Sequence, residues 1–132
     1  PKTIREGTET ILLVDDEEMI IDVGKQLLKK MGYKVLIARS GEDAIGFFME
    51  NKGEIDMVIL DMIMPGMGGG KTFDRLKEID PQVRGLLSSG YSIDGRATEI
   101  LNRGCRGFIQ KPFNMKDLSQ KIKEILEDTA SH

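Results

Sequence analysis

Four of the five short apolar runs in this 132-residue chain end in residues that could do chemistry. The first ends in Asp15-Asp16-Glu17, the third in Asp61, the fourth in Ser88-Ser89-Gly90 and the fifth in Lys111-Pro112-Phe113. Acids gathered in one place repel, and like charges raise each other's pKa. A divalent cation relieves that repulsion. Hard carboxylate oxygens with few protein contacts suit Mg2+, which keeps several waters and takes phosphate oxygens as further ligands. Such a set is laid out for phosphoryl transfer to a carboxylate. Asp61 is the candidate nucleophile, attacking phosphorus in line. Mg2+ held by Asp16 and Asp61 would neutralise charge on the transferring group, with Asp15 helping through a bound water. Lys111 supplies positive charge for the phosphoryl oxygens, and Ser89 supplies a hydroxyl donor.

These residues meet only if the elements that carry them do. "TILLVDD" (10–16), "KVLIA" (34–38), "DMVILD" (56–61), "VRGLLSS" (83–89) and "RGFIQ" (106–110) are short, apolar and rich in branched residues, and read as strands. Helical stretches separate them. Over 17–31 the residues Met19, Ile20, Val23, Leu27, Leu28 and Met31 predict one apolar stripe, stopped by Gly32. Ser40, with Asp43 three residues on, predicts a capping box at the second helix. A third helix is expected over about 70–79 and a fourth over about 94–103. Asn114 caps the fifth, which carries Leu118, Ile122, Ile125 and Leu126 on one face. Strands alternating with helices predict an α/β fold, a doubly wound five-stranded parallel sheet covered on both faces. Right-handed crossovers then bring the strand C-terminal ends to one edge, where such sheets bind ligands. The run "GMGGG" (66–70) behind Asp61 lets the loop fold tightly and approach metal and ligand. Beside Asp61 that run makes a poor helix start.

Composition bounds the partners. The chain is 39% apolar and 31% charged, with a formal charge of −3, and suits one domain. No Lys/Arg block stands out, so direct nucleic-acid binding is not expected. No apolar run approaches a membrane span, so no membrane contact by this domain is expected either. No stretch reads as a signal peptide. The single cysteine, Cys105, rules out an intrachain disulfide and reads as a small packing residue in a reducing compartment. Residues 1–9 read as a leader or linker, 10–128 as the domain and 129–132 as a tail. A start at Pro1 predicts an N-terminus that is processed, trimmed or excised from a longer chain.

The four motifs "ILLVDDE", "VILDMIMPGM", "LLSSGY" and "FIQKPF", in this order, resemble the receiver domain of two-component response regulators. The resemblance covers 10 to about 128. It implies the flavodoxin-like (βα)5 fold with strand order 2-1-3-4-5. By the resemblance Asp61 is the phosphoacceptor, Asp16 a direct Mg2+ ligand, Asp15 mainly a water-mediated one, and Ile63 the donor of a backbone carbonyl to the metal. Ser89 rather than Ser88 takes the switch hydroxyl position, because it stands at the family's distance before Lys111. Lys111 takes the place of the phosphate-binding lysine, Pro112 follows a cis bond, and Phe108 is the aromatic switch. The family would take its phosphoryl group from a histidine kinase or other phosphohistidine donor and pass it to a histidine phosphotransfer protein. It would work in the bacterial cytoplasm, change its α4–β5–α5 surface, and not turn over as an enzyme. His132 is the chain's only histidine, so the donor is expected from outside it. The leader and the flavour of "LLSSGYS" point to the C-terminal receiver of a hybrid sensor histidine kinase, with a stand-alone receiver as the alternative. The chain departs from the family in the acid-free loop "GMGGG" and in a switch aromatic that is Phe, not Tyr. It also departs at Ile63 and Tyr91, which flank the path of the hydrolytic water.

Each residue also has a plainer reading. Asp15 and Asp16 could cap the first helix, Glu17 and Glu18 form a solvated first turn, Lys111 is a loop lysine and Phe108 is core. Asp56 is structural and the eight methionines fill the core. Two other function classes compete with the phosphoacceptor. A receiver-like scaffold would bind partners without phosphorylation. A phosphatase with an aspartyl nucleophile would want a second acid where Ile63 stands. A flavodoxin-like flavin carrier would need a phosphate loop after the first strand, and none follows it.

Overall fold

The computed structural model describes residues 9–127. The expected leader (Glu9 apart), the tail and His132 lie outside the described residues. Five strands alternate with five helices: β1 (Thr10–Val14), α1 (Glu18–Lys30), β2 (Lys34–Ala38), α2 (Gly41–Glu50), β3 (Met57–Asp61), α3 (Gly69–Ile79), β4 (Gly85–Ser89), α4 (Gly95–Asn102), β5 (Gly107–Gln110) and α5 (Met115–Glu127). All strand pairs are parallel, in the order β2-β1-β3-β4-β5. This is the doubly wound five-stranded parallel sheet, in the strand order expected above.

The sheet separates two apolar layers. Side chains alternate across a strand, so Leu12, Val58 and Leu87 meet α2, α3 and α4 through Phe48, Phe73 and Ile100. Leu13, Ile59 and Leu86 meet α1 and α5 through Leu28, Leu118 and Ile122. Residues of β3 and β4 are buried throughout, which is why residues 57–60 run apolar without alternation and Leu86 and Leu87 stand side by side.

Helix starts follow local chemistry. Ser40 Oγ accepts from the Asp43 N–H at 3.0 Å, Asp94 caps α4 through the Ala97 N–H at 3.0 Å, and Asn114 caps α5 through the Asp117 N–H at 2.9 Å. Asp56 is structural, its Oδ2 accepting from the Thr10 N–H at 2.8 Å.

Two expectations need correction. The stripe of α1 is rotated: Met19 and Val23 are exposed, and Ile21, Gly24 and Leu28 are the buried line. The periodic count passed over Gly24 because glycine carries no apolar side chain. Yet a Cβ there would stand 2.8 Å from Leu13 Cδ2, so glycine is what lets α1 lie close on β1. The glycine run after Asp61 does start a helix, since α3 begins at Gly69. A Cβ at Gly69 would meet the Asp61 carbonyl oxygen at 2.4 Å. That glycine is needed for the helix to begin against the end of β3. No helix among the described residues is long and apolar enough to cross a membrane.

Candidate functional site

The parallel register carries the chemistry to one edge. Val14 pairs with Leu60, so Asp15 and Asp61 follow side by side. Asp61 pairs with Ser88, and Ser89 pairs with Gln110, the residue before Lys111. The Asp15 N–H donates to the Ala38 carbonyl at 3.1 Å, and the Lys111 N–H donates to the Ser89 carbonyl at 2.8 Å. These backbone bonds fix the two segments that leave the sheet. The Lys111–Pro112 peptide is cis, as expected.

One carboxylate oxygen each from Asp15, Asp16 and Asp61 lies within 4.8 Å of the others. Asp15 and Asp61 are buried, whereas Asp16 is exposed. Lys111 reaches over the sheet edge. Its Nζ lies 3.1 Å from Asp15 Oδ2, 3.1 Å from Asp61 Oδ1 and 3.5 Å from Glu17 Oε1. Asp15 also accepts from the Glu17 N–H at 2.9 Å, which ties the start of α1 to the site.

The charges answer to burial. Asp61 is pushed up to about 6, first by desolvation and then by the Asp15 charge, against Lys111 and the Ile63 N–H, which favour the carboxylate. Repulsion between acids, the cause expected from sequence, is therefore secondary to burial. Burial disfavours the Lys111 ammonium, but Asp61 and Asp15 outweigh it and hold the lysine above its ordinary range. Burial likewise pushes the Cys105 thiol up to about 11, in keeping with a packing role.

An open cleft of about 610 Å3 lies over this edge, lined by Asp16, Glu17, Asp61, Ile63, Ser89, Tyr91 and Lys111 among others. Ser89 Oγ is buried at the cleft and accepts from the Tyr91 N–H at 3.0 Å. Ile63 and Tyr91 are exposed at its mouth. Phe108 does not line the cleft; it pairs with Leu87 in the ladder and packs, half-buried, on the α2–α4 side. Two residues named at the strand ends have surroundings that the sequence did not foretell. Glu17 is solvated, as expected, and its carboxylate also faces Lys111. Ser88 is fully buried beside Asp61, and its hydroxyl meets no partner among the described residues. The strand register could have flagged Ser88.

Three hard oxygen donors around a site open to solvent suit a small hard cation that retains waters. Asp15, Asp16 and Asp61 are the residues that could hold it.

A doubly wound parallel sheet with an acid cluster and one lysine at its C-terminal edge defines an α/β domain with a candidate cation site where such sheets bind ligands. The sequence model described as "Response regulator receiver domain" matches residues 11–123, and the chain belongs to that family. Members of it are generally signalling modules rather than turnover enzymes. Sensor kinase CckA of Brucella abortus (strain 2308) is 36% identical over 121 residues, 92% of this chain and 13% of that kinase. The chain thus spans a small part of that relative, and half of the 35% identical transcriptional regulatory protein YvrH of Bacillus subtilis (strain 168). Among solved structures, a response regulator receiver domain protein from Clostridium thermocellum superposes with TM-score 0.87 at 31% identity. That match covers 92% of this chain and 97% of the other.

Proposed function

We propose that this chain is a phosphoacceptor module of a two-component phosphorelay, with Asp61 as the residue phosphorylated. The observation that carries the reading is the placement of Lys111 Nζ 3.1 Å from the carboxylates of both Asp15 and Asp61, beside a third carboxylate from Asp16. A cleft that gathers three acids and one buried ammonium suits a metal and a transferring phosphoryl group better than either alone.

In this reading an Asp61 carboxylate oxygen attacks the phosphorus of a phosphohistidine. The new P–O bond forms as the P–N bond breaks, and the leaving imidazole takes a proton. Bound Mg2+, held by Asp16, Asp61 and the Ile63 carbonyl directly and by Asp15 through water, would offset charge on the transferring group. Lys111 and Ser89 then turn toward the phosphoryl oxygens, which bring nearly two negative charges and three acceptors. Movement of the end of β4 leaves room for Phe108 and alters the α4–β5–α5 surface, a local charge event biasing a two-state element.

A solved CheX–CheY complex with BeF3 and Mg2+ from Borrelia burgdorferi matches with TM-score 0.85 at 25% identity, covering 89% of this chain. It supports the same chemistry here. The donor is a histidine kinase or another phosphohistidine protein, and a histidine phosphotransfer protein is the downstream acceptor. Similarity to CckA supports a parent hybrid sensor histidine kinase, with this domain in the cytoplasm. The test is phosphoryl labelling from acetyl phosphate with and without Mg2+. Wild type takes up acid-stable, base-labile label only with Mg2+, and Asp61→Asn takes up none. Equal labelling of Asp61→Asn would overturn the assignment.

A further inference from the structure

The end of β4 carries two adjacent serines that face opposite ways. Ser89 follows the alternation of Leu87, toward the α2–α4 layer, and its Oγ is already held by the Tyr91 N–H. Ser88 follows Leu86, toward the α1–α5 layer, as Asp61 follows Ile59. In the ladder Ser88 is the direct partner of Asp61 on one side and of Ile109 on the other. It is 1% exposed, and its Oγ meets no hydrogen-bond partner among the described residues. A buried hydroxyl left unpaired costs about 1–3 kcal/mol, and native structures keep few such groups without a reason. Alanine would fill this position without that cost.

The reason lies across the ladder. Paired side chains on neighbouring strands stand about 4.8 Å apart, and serine moves among three staggered χ1 wells. One such turn carries the Ser88 hydroxyl toward the Asp61 carboxylate. In the resting protein that carboxylate is already served, by Lys111 at 3.1 Å and by the Ile63 N–H. When Lys111 turns to a phosphoryl group, Asp61 loses the hydrogen bond that the lysine gave it, and the lone pair beside the proposed Mg2+ contact is open to another donor.

We propose that Ser88 is a positioning residue for Asp61: its hydroxyl replaces Lys111 on the non-bridging Asp61 oxygen when the phosphoryl group draws the lysine away. The two serines divide the work, Ser89 on the phosphoryl oxygens and Ser88 on the acyl oxygen that holds them. The inference rests on Asp61 being the phosphoacceptor.

The experiment compares wild type, Ser88→Ala, Ser88→Cys, Ser88→Thr and Asp61→Asn. It measures beryllofluoride affinity in Mg2+ by NMR titration, labelling by acetyl phosphate, and urea unfolding of the unmodified proteins. Ser88→Ala should keep or gain resting stability, because it removes an unpaired hydroxyl, and should lose about tenfold in beryllofluoride affinity. Ser88→Thr should return to within about twofold of wild type, and Ser88→Cys, a weaker donor, should fall between. Unchanged affinity in Ser88→Ala overturns the proposal. So does lower resting stability, since the hydroxyl would then already have a partner, and so does a threonine variant as weak as the alanine one. Labelling of Asp61→Asn would instead overturn the phosphoacceptor reading itself.

Discussion

Lys111 Nζ stands 3.1 Å from Asp61 Oδ1, across 50 residues of sequence, and both side chains are almost wholly withdrawn from solvent. The lysine is the counter-charge that lets Asp15 and Asp61 lie buried together. Removing one partner of a buried ion pair leaves the other charge uncompensated, at about 3–5 kcal/mol. Lys111→Ala should therefore lower the urea-unfolding free energy at pH 7 by a few kcal/mol, and should abolish labelling by acetyl phosphate. Loss of labelling with unchanged stability would mean that the carboxylates need no counter-charge in the resting protein.

Asp61 gives the opposite sign. Its folded pKa, about 6, lies above the ordinary 3.8 because burial disfavours its ionised form. Between those values the folded protein binds more protons than the unfolded one, so stability falls as pH rises. The contribution of Asp61 is fully present below the unfolded pKa and is lost as pH passes through about 6. Without Mg2+, Asp61→Asn should be the more stable protein at pH 7, and its unfolding free energy should lose most of the decline between pH 4 and pH 6. Urea titrations across that range measure both. A variant with the same slope as wild type would place the proton elsewhere.

Gly69 is set by the same carboxylate's backbone. A Cβ at this position would stand 2.4 Å from the Asp61 carbonyl oxygen and 2.9 Å from Met62 Cα, both backbone atoms that cannot swing aside. Gly69→Ala should cost about 1–3 kcal/mol by overpacking. It should also slow phosphorylation, because the start of α3 would push on the strand end that aims Asp61. Gly90→Ala is the control, since a Cβ there meets nothing within 4 Å. If both substitutions cost the same, the close approach at Gly69 is not what the loop requires.

The glycines mark where the sequence stopped being legible. Strands announced themselves because branched apolar runs of about five residues have few other uses in an alternating chain. The site followed because a parallel sheet sends Asp15, Asp61, Ser89 and Lys111 to one edge whatever the loop details. Gly24 and Gly69 are different. Their role is the absence of a side chain at a close approach, and a periodicity count has no term for that. Glu17 is solvated, as its place before the first helix suggests, but its contact with Lys111 at 3.5 Å comes from the far end of the chain and no local pattern announces it. The exposed Met19 and Val23 of α1 show the remaining limit, since an apolar residue satisfies a helical stripe on either of its margins.

The mouth of the cleft bears on how long the proposed phosphoryl group would stay on Asp61. Ile63 and Tyr91 line it, and both are exposed there, with relative accessibilities of 48% and 69%. Water that hydrolyses an aspartyl phosphate must approach phosphorus opposite the bond to Asp61, through the space these side chains border. The apolar chain of Ile63 offers that water no hydrogen bond, and the bulky ring of Tyr91 crowds its path. Asn and Glu at the same places would leave room and could hold it by hydrogen bonds. The double variant Ile63→Asn, Tyr91→Glu should therefore lose its phosphoryl group about tenfold faster than wild type, a barrier lower by about 1.4 kcal/mol. The check is the decay of label after acetyl phosphate is removed. Neither side chain is in the buried core, so urea unfolding should separate this effect from damage to the fold. Decay that stays equal or slows in the variant would show that hydrolysis is limited by something other than access at Ile63 and Tyr91.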